Sequence, residues 1–151
     1  MYIERGYMSR YQFFASNAPI KEYDNLKIKK ITIHNESAIY MRTPMDEWHG
    51  MRIIQEEDLT LTAPYTGKPY CNFLEWYYND ENAEIIVEFV KEHLATNASI
   101  ELWNTWLGDR SAVRKRKIPV QDLKVEDIRK LWGQDSFVQN ECLVVYQAYG
   151  K

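Results

Sequence analysis

An amphipathic stretch, Glu81 to Thr96, is held between two strand-like runs and sets the layout of this chain. Within it Ala83, Ile86, Val87, Val90 and Leu94 recur at three- and four-residue steps, Ile85 and Phe89 widen the stripe, and the other face is acidic. The spacing predicts a helix, with Asp80 as its cap and Glu81 and Glu84 at the positive end of its dipole. Cys71 to Tyr78 before it and Ser99 to Leu107 after it read as strands. In the second, Ile100, Leu102 and Trp106 share one side and Glu101, Trp103 and Thr105 the other. Strand, helix and strand joined by short links predict a right-handed crossover that leaves the two strands parallel in one sheet.

Leu107-Gly108-Asp109-Arg110 is a turn signal leading into Ala112 to Val120, a strand ending at Pro119, and the pair predicts a hairpin. Leu123 to Trp132 has helical spacing at Val125, Ile128, Leu131 and Trp132, with Asp122 as cap and Gly133 as a left-handed stop. Cys142 to Tyr149 is apolar on both alternations, as a strand covered on both faces requires. Residues 71–149 therefore follow the order β-α-β-β-α-β, the order of the ferredoxin-like arrangement. The N-terminal half is strand-rich, with candidates at Tyr11 to Ala15, Leu26 to Ile33, Ala38 to Arg42, Met51 to Gln55 and Asp58 to Thr62. In the last of these, Leu59 and Leu61 are expected inward and Thr60 and Thr62 outward. The expected fold is α+β: a mixed, largely antiparallel sheet with two main helices. No linker or repeat divides the chain, so residues 1–151 read as a single domain.

Charge narrows the function classes. The net charge of −3 gives no general affinity for nucleic acid or membranes, but its distribution is uneven. Lys and Arg number seven against four Asp and Glu in residues 1–42, three against eleven in 43–98, and nine against seven in 99–151. An acidic middle repels anionic ligands and suits a basic partner. Two cysteines, Cys71 and Cys142, do not make a disulfide framework and fit a reducing compartment. With no membrane-length apolar run and a charged, aromatic start at Met1 to Arg10, the expected location is cytoplasmic. Asn97-Ala98-Ser99 matches a glycosylation pattern that has no meaning there.

Motif-borne chemistry is missing. His34, His49, His93 and the cysteines show no ligand pairing such as CxxC or HxxxH, which leaves no metal site to assign. His93 reads as a partly exposed imidazole at a helix end. The glycines are isolated, so no phosphate loop or dinucleotide fingerprint forms. Asp46, Glu47, Glu56, Glu57 and Asp58 read as surface charge, and Cys71 as a small buried strand residue. No catalytic, cofactor-binding or metal-binding residue is assigned, which leaves open only a pocket assembled from residues far apart in sequence.

The candidate binding surface is the basic run Arg114-Lys115-Arg116-Lys117 together with Trp48 and Trp103. Four adjacent cations can contact phosphates or an acidic protein surface, but Lys and Arg beside a Pro also protect a sheet edge from pairing. Trp103, on the more polar side of its strand, is either covered within the fold or part of an aromatic patch; Trp106 belongs to the core. Trp48, in a loop beside His49 and Gly50, is the better placed recognition aromatic.

Two segments, Phe13-Phe14-Ala15-Ser16-Asn17-Ala18-Pro19 and Ile100-Glu101-Leu102-Trp103-Asn104-Thr105-Trp106-Leu107, resemble segments of small uncharacterised cytosolic proteins of low-GC Gram-positive bacteria. The resemblance implies a bacterial cytosolic protein and carries no assigned activity. The expected function is a non-enzymatic protein-interaction or accessory role, with a protein partner or a second copy of the chain as the occupant of its surface. Two alternatives stand beside it: a small-molecule binder or enzyme with an aromatic-lined pocket, and nucleic-acid binding through the basic strand.

Overall fold

The computed structural model describes residues 10–26, 50–107, 109, 112–133 and 139–148. Among these residues seven strands form one sheet: β1 (Arg10–Ser16), β2 (Tyr23–Asp24), β3 (Met51–Gln55), β4 (Tyr70–Trp76), β5 (Ser99–Trp106), β6 (Val113–Pro119) and β7 (Asn140–Tyr146). Two helices, α1 (Asp80–His93) and α2 (Val125–Trp132), follow β4 and β6. The order of the described strands is β2-β3-β4-β1-β5-β7-β6, and among them only the β6–β7 pair is parallel. The fold is thus α+β with a mixed, largely antiparallel sheet. Trp48 and the strand candidate Ala38 to Arg42 lie outside the described residues, as does all of Leu26 to Ile33 except Leu26, which is not in a strand.

β1 sits at the centre because both of its alternations are buried. Phe14 packs on the helical side with Leu102, Ile86 and Leu143, whereas Tyr11, Phe13 and Ala15 face the other way with Cys71, Trp103 and Cys142. β4 and β5, the strands flanking α1, are each antiparallel to β1 and so parallel to one another, as the crossover unit requires. What sequence periodicity does not reveal is that β1 fills the gap between them. The stripe on α1 is buried as expected.

The expected hairpin between β5 and β6 does not form. β5 pairs antiparallel with β7, and β6 pairs parallel with the outer side of β7 after the chain passes through α2. The ferredoxin-like expectation therefore extends to the order of elements, while two crossover units set the pairing. Its physical origin lies in composition. An apolar β7 needs neighbours on both sides, and a strand with four adjacent cations is least costly at the rim, where its side chains reach water.

Other expectations are corrected locally. Asp58 to Thr62 is a series of turns, in which the Asp58 carboxylate accepts from the Thr60 N–H and the Leu59 carbonyl accepts from the Ala63 N–H at 2.9 Å. Two of its four side chains go against the expected alternation, Leu59 being 44% exposed and Thr62 buried at 2%, while Leu61 packs inward and Thr60 is exposed as expected. The cap of α1 is Asn79, whose side chain accepts from the Asn82 N–H at 2.7 Å. Asp80 instead accepts from Tyr78 and Arg129, which holds its carboxyl below the usual range. α2 starts at Val125, where the Asp127 carboxylate accepts from the Lys124 N–H, while Asp122 lies in a preceding 3-10 turn. Gly133 has φ −90°, so its smallness serves a close approach: a Cβ there would lie 2.7 Å from the Arg129 carbonyl oxygen. Trp106 is half-buried at the end of β5.

No helix among the described residues is long and apolar enough to cross a membrane.

Candidate functional site: a basic sheet edge

Among the described strands β6 is terminal at one edge of the sheet, and its sequence Val-Arg-Lys-Arg-Lys-Ile-Pro explains that place. An interior strand would bury lysines with no counter-charge, at several kcal/mol per ion (roughly). At the rim the cations stay hydrated and Pro119 closes the strand.

Register fixes which way each side chain points. Arg114 and Arg116 are opposite Glu141 and Leu143, and Leu143 belongs to the helix-side core; Lys115 and Lys117 are opposite Cys142 and Val144 of the other face. The four cations therefore divide two and two between the faces. Arg114, Lys115 and Lys117 are exposed and Arg116 is half-buried. None of the four makes an ion pair with another described residue, although six such pairs form elsewhere on the described surface. At the strand ends, Val113 is 38% and Tyr146 of β7 is 36% exposed, giving the cationic centre apolar flanks. Sequence reasoning missed Tyr146 by reading its strand as fully covered.

Trp103 takes no part in a surface. It is 2% exposed, stacks on Phe13 with ring centroids 5.9 Å apart, and is covered by Tyr65 from the turn segment between β3 and β4. Its indole N–H donates to Glu101 at 2.8 Å, and the same carboxylate accepts from the Thr66 hydroxyl at 2.7 Å. Glu56, in the same covering segment, accepts from the Tyr11 hydroxyl. The polar side of β5 is thus used to latch this segment onto the sheet. Trp76 and Trp132 are likewise buried, against each other on the helical side.

Both thiols are buried and free. Burial, reinforced by Glu101, pushes the Cys142 thiol up to about 12, with Lys115 and Lys68 partly opposing it. Cys71 is also raised, chiefly by burial. Neither is poised as a nucleophile. His93 is buried rather than partly exposed: its Nδ1 bonds the Phe89 carbonyl at 2.8 Å, and its Nε2 accepts from the Lys21 N–H at 3.2 Å. Among the described residues no three His, Cys, Asp or Glu side chains converge as a metal site.

No protein-family model matches the chain, and comparison with curated proteins and with solved structures finds no match either.

Proposed function

We propose that this chain is a non-enzymatic protein-interaction or accessory protein whose contact surface is the β6 edge. The observation that carries the reading is a terminal strand of seven residues holding four cations with no ion-pair partner among the described residues. Charges at an edge repel a second copy of the same strand and disfavour neutral strands through the cost of desolvating the cations, which is the protective role of such residues. That protection is selective by sign, because an acidic partner is attracted by the charges that reject the rest. Supporting the reading, the buried tryptophans are engaged inside the fold and burial raises both thiols above their ordinary range, whereas the charged side chains of β6 are largely exposed.

Affinity capture from cell extract at mild salt, followed by lysine-directed cross-linking, tests the proposal. The expected result is a stoichiometric protein linked through Lys115 or Lys117 and lost when residues 114–117 are reversed to Glu. Stoichiometric capture that survives the reversal, or no stoichiometric partner at all, contradicts it.

A further inference from the structure

Resting on that reading, we infer that the β6 edge accepts an extended peptide segment with a run of four acidic residues and apolar flanks, added to the sheet as an eighth strand. The cations are divided between the two faces of the sheet. Lys115 and Lys117 stand on the face away from the helices, about 7 Å apart at strand spacing, and Arg114 and Arg116 stand on the helical face. A polyanion lying on one face meets two of them and leaves the other two pointing away. A strand added at the edge alternates its own side chains between the same two faces and meets all four.

This geometry dictates the ligand's sequence. Alternating acidic and apolar residues satisfy one face only, so the complement of four consecutive cations is a consecutive acidic run. Val113 before the run and Ile118 after it meet apolar residues at the ligand's ends, and Tyr146 adds apolar surface on the neighbouring strand. A second copy of β6 is a poor occupant because it would bring cation against cation. A single-stranded nucleic acid has no backbone amides to complete the ladder, and its phosphates follow one face.

The test is fluorescence anisotropy at low salt with a labelled peptide of the pattern Val-Glu-Glu-Glu-Glu-Val. Saturable binding is expected, weakened about tenfold or more by Arg114→Glu with Arg116→Glu, and by a similar factor by Lys115→Glu with Lys117→Glu. A peptide with Glu alternating with Ser should respond to one of these pairs and not the other. N-methylation of one alternate set of peptide nitrogens should abolish binding while methylation of the other set leaves it intact. That arm leaves the protein untouched and so decides the matter even if a charge-reversed variant unfolds. Absence of binding, indifference to both methylated sets, or dependence of the four-Glu peptide on only one cation pair overturns the inference. A protein captured and cross-linked at β6 that has no acidic run also overturns it while leaving the protein-interaction reading standing. A single-stranded oligonucleotide that binds more tightly through the same four residues overturns both.

Discussion

At Asn97 a single buried amide ties the end of α1 to the loop leaving β1. Its Oδ1 accepts from the Asn17 and Ala18 N–H groups at 3.1 and 2.8 Å, and its Nδ2 donates to the His93 carbonyl at 3.1 Å. Replacement by Ala strands these groups, and Asn97→Ala is expected to cost roughly 2 kcal/mol in urea denaturation. A change below a few tenths would show that the bonds carry no net stability. Nothing in the local sequence marks Asn97 for this task, since the Asn17 and Ala18 N–H groups that it satisfies lie 80 and 79 positions away, and a local pattern sees only a glycosylation signature. Tyr11 links stability to alkaline pH. Burial, then its bond to Glu56, raises its hydroxyl well above the ordinary value of 10.0. Above that pH an unfolded tyrosine loses its proton and native Tyr11 keeps it, so the native state binds more protons and stability falls as pH rises. Below pH 10 the contribution is fully present. Cys142 adds to the same loss from its ordinary 9.0 up to about 12. Urea midpoints measured from pH 8 to 11 should therefore decline, less steeply in Tyr11→Phe than in the parent; equal slopes would contradict the assignment.

Elements whose sequence pattern coincides with their packing were legible, and those decided by remote partners were not. α1 carries a stripe at helical spacing that the sheet buries residue for residue, so its existence followed from the sequence even though its cap moved to Asn79. Asn79→Ala should lower stability by about 1 kcal/mol through the lost bond to Asn82, whereas Asp80→Ala, at an exposed site, should shift the thermal midpoint less. The reverse ranking would restore Asp80 as the cap. Asp58 to Thr62 alternates like a strand, yet the Asp58 carboxylate and the local carbonyls satisfy its backbone in turns, and local hydrogen bonding prevailed over period. β6 was legible as a strand and as an edge; its parallel neighbour was not, because pairing depends on what β7 requires on its outer side. The candidate site was accordingly half-readable. The cation run stood in plain view, the division of its side chains between two faces needed the register, and Trp103 was withdrawn from the surface by Tyr65, a covering residue from a different element.

Across the whole molecule the charge is arranged rather than spread. The exposed face of α1 carries Asp80, Glu81, Glu84, Glu88 and Glu92, while the far rim of the sheet carries Arg114 to Lys117. That polarity bears on association more than on folding. Steering of an acidic partner to the rim should fade as salt rises, since the screening length is about 8 Å at physiological ionic strength. The fold itself tolerates the run because it sits outside the core. Lys115→Gln with Lys117→Gln should leave the thermal midpoint close to that of the parent while reducing affinity for an acidic segment, and a large loss of stability would mean that the run serves folding. Amide hydrogen exchange with and without the four-Glu peptide locates the added strand on the sheet. The account predicts slowed exchange concentrated in Val113–Pro119, where new ladder bonds form. Protection confined to other segments, with exchange in this strand unchanged, would contradict it.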